Sequence, residues 1–355
     1  MTKTILRLTL SGALLVLTGI MVLAAKFLTP FVFSFYPDLS RGAIKVIAAI
    51  TSILPIALCE LLPVLLIFWF VFTLVRAIRR AWMVRWLTGV LLSVCILVTA
   101  FVGLWGLNYY APPMQECLYL QSRQYSVQEL KKATIYYRDM ANSLAAQVER
   151  DADGVMAEYD FDRLAKQAGE GFETLAKTYD CFTGSTVRVK KLLSSPLMGK
   201  IGMTGGFICF TGESCVSTTT HTASMPFTMC HEIGHRMAFA REDEANFAGF
   251  LACAASERPE FRYSGYYAAF RYCYNALYEA DPRAASEVWS GVCGEIATDW
   301  NASVEHYESI RSETAAEVTD NVYDTYLKSF SVESGVRSYG EVTDLFLDWY
   351  YGGKK

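Results

Sequence analysis

Two histidines and an acid are spaced so that they could share one cation. His231, Glu232 and His235 stand in "HEIGH". On an α-helix the two histidines fall on one face, one turn apart, able to bind one metal ion. Glu232 is rotated by about 100° from His231. It lies outside the ligand pair but within reach of a water held by the metal, whose proton it can take. The alternative is an ordinary core helix with two satisfied histidines. The chain has only four His, and spending two of them here favours the metal.

Hydrolytic zinc takes three protein ligands and leaves a fourth position for water. Glu242 follows His235 by seven residues. The intervening "RMAFA" can end one helix and turn the chain back. Glu242 then opens a second helix, "EDEANFAGFLACAA", where the helix dipole also favours an acid. Asn246, one turn further on, is placed to hydrogen-bond a ligand from behind. Glu244 is the rival ligand, but it points about 200° away from Glu242 around the helix, so Glu242 is favoured. A solvated helix start would carry the same acidic run.

The elements that must position this group begin with an apolar front half. The chain has 355 residues, room for two modest domains, and is 52% hydrophobic. Three runs, about 5–28, 53–75 and 86–107, are each long enough to cross a hydrocarbon core about 30 Å thick. No small-residue cleavage site follows the first, so it reads as a span rather than a signal peptide. Residues 1–110 form a three-helix transmembrane domain in this reading, and 111–355 an extracytoplasmic domain. Lys3 and Arg7 before the first span, and Arg76, Arg79, Arg80 and Arg85 between the second and third, place the N-terminus in the cytoplasm. Trp105, Tyr109 and Tyr110 then read as an interfacial aromatic anchor, and Glu60 falls at the outer end of the second span.

Charge divides at the same border. Residues 1–110 hold nine Lys/Arg against two Asp/Glu, and the remainder 23 against 34. An acidic outer domain offers no basic face for phosphates and excludes nucleic acid as a partner. Three spans with almost no internal charge offer no polar pathway for a transporter.

In the outer domain, Ser126 caps a helix over 127–148. A second helix covers about 161–179. The Gly-, Ser- and Thr-rich stretch that follows reads as short strands. "GGFICFTGESCVS" reads as a hairpin with Thr211-Gly212-Glu213 at or beside its turn. Its first part is the edge strand that could hold an extended peptide. Helices follow over 243–256, 263–279, 283–300, 304–330 and 338–350. The fold class is thus a multi-pass membrane protein with a mostly α (α+β) outer domain and a small sheet before the HEIGH helix.

Eight of the ten cysteines lie in that domain. Their number permits disulfides, and Cys209 with Cys215 could close a small loop. Cys253 and Cys273 sit in helical runs and read as buried apolar residues. An oxyanion donor is open among His306, Tyr263, Tyr266 and Tyr339. His306 falls in a polar helical run and His221 reads as an exposed loop residue.

"HEIGH" followed by "EDEANFAG" resembles the gluzincins, zincin metallopeptidases with a glutamate third ligand and an E-x-x-A-[DN] element on a second helix. The resemblance implies His231, His235 and Glu242 as zinc ligands, Glu232 as the base and Asn246 in support. The short His235–Glu242 separation departs from most gluzincins. It is similar to the tight metzincin turn, with Ala238 where metzincins have Gly and with no third His. "FYPDLSR", "GLNYYAPP", "FTGESCVS", "RYSGYY" and "GVRSYGEV", with the HEIGH segment, together resemble a bacterial membrane family known as domain of unknown function 3810. That family is regarded as zinc-peptidase-like.

The expectation is a membrane-anchored, zinc-dependent metallopeptidase that cleaves a peptide or protein substrate with a zinc-bound water activated by Glu232. A non-catalytic zincin-fold sensor or assembly factor is the alternative. An intramembrane protease is disfavoured, because Arg236, Arg241, Glu242, Asp243 and Glu244 crowd the motif at a cost within a bilayer.

Overall fold

The computed structural model describes residues 2–314, 317, 319, 321 and 339–352. It is mostly helical, with one small mixed sheet. Three helices are long and apolar enough to cross a membrane: α1 (Thr2–Phe27), α4 (Leu58–Arg79) and α5 (Met83–Leu104). The second begins five residues later than its apolar run does. "SILPIA" cannot continue a helix through Pro55, and a carboxylate from the later domain starts the helix instead. Glu213 accepts from the Leu58 and Cys59 backbone N–H groups at 3.1 and 2.8 Å, taking two of the donors that a helix N-terminus leaves unpaired.

α1 and α5 run side by side in the same direction. Arg7 donates to the Arg85 carbonyl at one end, and the Thr18 and Thr99 hydroxyls meet at 2.9 Å near the middle. At the other end, the connection expected to be a loop folds as α2 (Thr29–Phe33) and the amphipathic α3 (Tyr36–Thr51). Ser40 of α3 donates to the Leu104 carbonyl and accepts from Asn108. Trp105 and Tyr109 are not a surface anchor: both are buried, in a cluster with Ile44, Cys209 and Ala240. The domain that follows α5 sits directly on its end and covers them.

A 3-10 turn (Gly106–Tyr110) and the short α6 (Met114–Cys117) lead into the domain that follows α5. α7 (Val127–Ala145) starts with Ser126 and Glu129 capping each other's backbone. The single helix expected over 161–179 is two, α8 (Phe161–Gln167) and α9 (Glu170–Leu175). They break at Gly169, whose position lies so close to Thr186 that a Cβ would meet its carbonyl oxygen at 2.5 Å.

The sheet has strand order β1-β3-β2, with β1 (Lys190–Lys191), β2 (Gly205–Ile208) and β3 (Glu213–Val216). β2 and β3 form the expected hairpin, and β1 adds in parallel on the far side of β3. α10 (Ser195–Lys200) lies between β1 and β2. The sheet rests on α11 (Met225–Arg236), which packs against α12 (Glu242–Ala255). α13 (Pro259–Ala280) and α16 (Tyr339–Gly352) close the core around Phe247, Phe250 and Phe346. The helix expected over 283–300 is interrupted: α14 (Pro282–Trp289) ends before α15 (Gly294–Ile310) begins. The start of the expected 304–330 helix is the end of α15, which stops at Ile310, and much of the rest lies outside the described residues.

The sheet is clamped to the apolar helices by buried charge. Lys190 of β1 pairs with Glu213 of β3 and donates to the Thr51 and Ile56 carbonyls, each at 2.9 Å. Glu60, in the first turn of α4, accepts from Leu193 and Ser194 at 2.8 Å, just before α10. Cys59, at the start of α4, has its sulfur 3.4 Å from that of Cys215. Cys209 and Cys215 do not pair with each other; the disulfide is Cys117–Cys181. Cys209 sits against Trp105 and Cys215 faces Cys59, because alternation along the hairpin sends them to different neighbours.

Candidate metal centre

The tight turn is made by a residue with a left-handed backbone. α11 ends at Arg236, and Ala238 has φ of 74°, a conformation that an L-residue other than Gly adopts at a cost of about 1–2 kcal/mol. The chain reverses there and starts α12 at Glu242. Two glycines let the helices close. A Cβ at Gly234 would meet the Ala245 carbonyl oxygen at 3.1 Å, and one at Gly249 would meet the His231 backbone nitrogen at 2.9 Å.

The result brings the three expected ligands together. His231 Nε2 lies 3.4 Å from one Glu242 oxygen, and His235 Nε2 lies 3.4 Å from the other. The two imidazoles stand 4.7 Å apart and nearly perpendicular, at 87°. Tetrahedral zinc, with bonds of about 2.0–2.2 Å to nitrogen and oxygen, sets neighbouring ligand atoms about 3.3–3.5 Å apart. The donor spacing fits zinc. His235 Nδ1 is 2.8 Å from the Phe239 carbonyl. That contact holds Nδ1 as the donor and leaves Nε2 to face Glu242, where it carries a proton in the ion pair and would give that proton up to a cation.

Glu232 faces the same point. One of its oxygens lies within 4.8 Å of the ligand nitrogens of both histidines. The side chain is buried, and its Oε2 has no hydrogen-bond partner. A buried carboxylate oxygen left bare is costly and marks a place for a polar guest. Burial pushes the Glu232 carboxyl above its ordinary range, against the pull of His231 and His235. For His235 burial acts to lower the pKa, but the Glu242 charge outweighs it and raises the imidazole to about 9. Glu242 is held well below the usual carboxylate range by both imidazoles, despite its own burial. Without a metal the group is a buried ion pair, and a cation would take the place of its proton.

Glu244 points elsewhere, as its angle around α12 requires. It accepts from the Met114 backbone N–H at 2.7 Å and pairs with Arg241, tying α12 to the segment after α5. Asn246 is half-buried and hydrogen-bonds none of the three ligands among the described residues; the Phe239 carbonyl does the orienting instead. Among the oxyanion candidates, Tyr263 is bound to Asp299 within the core, Tyr266 packs on Phe250, and His306 holds the Thr219 carbonyl at 2.6 Å. The Tyr339 side chain lies outside the described residues.

Two neighbours of the site were not legible in the sequence. Ser214 of β3 donates to the Glu232 carbonyl at 2.7 Å and fixes the sheet to α11. Gly205 of β2 lies against the base: a Cβ there would meet Glu232 Oε1 at 2.5 Å and the Cys215 carbonyl at 2.9 Å. Gly205→Ala is therefore expected to keep the fold and the metal while displacing the Glu232 carboxylate, lowering any activity of the site by more than about tenfold. Parental turnover in a folded, metal-loaded Gly205→Ala chain would refute that placement.

His221 is buried rather than exposed, 7% accessible, and caps the turn that leads into α11. Burial pulls its pKa down to about 4, with Asp299 opposing and His306 and Arg271 assisting. The folded state keeps this imidazole neutral, whereas the unfolded chain protonates it below about pH 6.5. Its share of stability is complete above that value. It declines by up to about 1.4 kcal/mol per pH unit as the pH falls towards 4. The parent should thus lose more stability between pH 6.5 and 4 than His221→Gln does. Identical pH profiles for the two chains would contradict this.

The fold and site together define a class: three span-length apolar helices carrying a mostly helical domain with a His–Glu cluster on a helical hairpin. The chain belongs to the family described as "Protein of unknown function (DUF3810)", whose model matches residues 35–347. No curated protein and no solved structure matches it.

Proposed function

We propose that the chain is a membrane-anchored zinc peptidase, with the N-terminus in the cytoplasm and the helical domain outside. The observation that carries this reading is the pair of 3.4 Å contacts that set two imidazole nitrogens and two carboxylate oxygens at zinc spacing, beside a buried acid with a bare oxygen. His231, His235 and Glu242 would hold the ion, which when bound supplies Lewis acidity to water and to a scissile carbonyl. Glu232 takes the proton of the attacking water and hands it to the leaving amine. Its burial, which raises the carboxyl, suits a group that must both accept and return a proton. β2 offers an edge for an extended peptide: it pairs only with β3 among the described residues, and backbone hydrogen bonds along such an edge hold a substrate strand. Its length and register place Gly205, not a side chain, next to the base.

The sidedness follows from where the basic residues gather. Arg7 and Arg85 meet at the end of the α1–α5 pair opposite Trp105, and the domain sits on the Trp105 end. The cluster on α11 and α12 belongs to that domain and not to an apolar helix, which favours hydrolysis outside the hydrocarbon core.

The test is zinc content of the purified full chain beside His235→Ala and Glu242→Ala, followed by a peptide-library digest. About one zinc per chain, lost in both variants, is the expected result for a three-ligand site. A folded parent without zinc would end the metal reading. Zinc bound at full occupancy with no peptide cleaved would make the protein a zinc-holding sensor or assembly factor instead.

A further inference from the structure

We propose that the substrate is the juxtamembrane segment of a membrane-anchored polypeptide, cut a few residues beyond the bilayer. This rests on the peptidase reading and on α1, α4 and α5 crossing a membrane.

The first support is height. Trp105, the residue after α5, donates its indole N–H to the His235 carbonyl at 3.3 Å, and its ring lies 5.6 Å from Phe207 of β2. Phe101, in the last turn of α5, lies 6.4 Å from Phe210 at the hairpin turn. One end of β2 thus touches the end of a 22-residue apolar helix. The other end, Gly205, touches Glu232. Those ends are three residues apart, about 10 Å along a strand. A substrate strand running along β2 from Gly205 would cover about that length to reach the end of the apolar helix.

The second support is the underside of the domain. Leu193 and Leu197 are 75% and 60% exposed, and Ile208 and Phe210 about two-fifths exposed. Leu193 sits beside Glu60 at the start of α4, and Phe210 beside Phe101 at the end of α5. Leu193 and Phe210, at the ends of two span-length helices, would be covered with those helices in a bilayer.

The third is fixity. Lys190, Glu213 and Glu60 bind the sheet to α4, and a Cβ at Gly212 would meet the Ala48 backbone nitrogen at 2.8 Å. The domain cannot rise to admit substrate at other heights without breaking these contacts. A strand added along β2 would have one end aimed at the bilayer and its scissile bond near Gly205. At about 3.4 Å per residue the anchor enters the membrane roughly three to six residues from the cut. Anchoring in the same bilayer also raises the local concentration of substrate, which a free peptide lacks.

The experiment uses the full chain in lipid vesicles. One cleavable sequence, chosen from the library digest, is joined to an inert transmembrane helix by spacers of graded length and is also supplied unanchored. Cleavage should peak with the shortest spacers and be at least about tenfold slower with long spacers and with the free peptide. A rate independent of spacer, or a free peptide cut as fast as the anchored one, would overturn the proposal and leave the peptidase reading intact. Failure to cut any sequence, in the library or anchored, would overturn the peptidase reading itself. A second readout avoids turnover: in Glu232→Gln, a photoreactive group on the short-spacer reporter should crosslink to the β2 segment, and crosslinking elsewhere would refute the assigned edge.

Discussion

Glu232→Gln is expected to bind zinc as the parent does and to hydrolyse peptides about 10²–10⁴-fold more slowly, the range that general acid–base groups contribute. The substitution keeps the shape that fits against Gly205. It places an amide where the carboxylate has an unpartnered oxygen, and the two histidines and Glu242 are untouched. An amide cannot take a proton from water. Loss should therefore appear in kcat, with metal content and unfolding temperature near parental values. A kcat within about twofold of the parent would remove Glu232 from the mechanism. Loss of zinc in the variant would instead make Glu232 a ligand.

Lys190→Ala carries the largest expected effect on stability. The Lys190 ammonium is buried and has three acceptors: Glu213, the Thr51 carbonyl and the Ile56 carbonyl. Its removal leaves the Glu213 carboxylate buried with only the α4 N-terminus as a partner. Breaking a buried pair on one side costs about 3–5 kcal/mol, whereas replacing both members by neutral groups is far milder. Thermal unfolding of the full chain in detergent should show a large drop for Lys190→Ala and substantial recovery in Lys190→Met with Glu213→Gln. A single variant as stable as the parent would mean that the junction is held elsewhere. The single variant should also loosen the sheet from α4, and with it the position of β2.

The local elements were legible because each has a short-range cause. Ser126 with Glu129, the apolar runs, the β2–β3 hairpin and the HEIGH helix are each written within a few residues. The ligand trio is of this kind, since one turn and two facing glycines bring it together. What escaped the sequence depends on partners far along the chain. Lys190 and Glu213 look like ordinary strand charges until α4 arrives from more than a hundred residues away. Trp105 looks like an interfacial anchor until the domain folds onto it. The Cys117–Cys181 pairing follows from tertiary closure alone. His221 reads as loop because its burial is supplied by α13 and α15. The expected span from 53 ran through Pro55, which the helix does not: α4 starts at Leu58.

The left-handed turn at Ala238 has a consequence for assembly. All ligands of the proposed centre come from a stretch running from His231 to Glu242, two helices joined by one reversal. Closing so short a loop demands little chain entropy, and contacts of low sequence separation form early. The ligand hairpin is therefore a unit of low contact order, while the clamp to α4 joins residues that emerge long before it during synthesis. The parts of the clamp, Leu58, Cys59, Lys190 and Glu213, are all made before the hairpin, which closes as a rapid local step once its own residues have emerged.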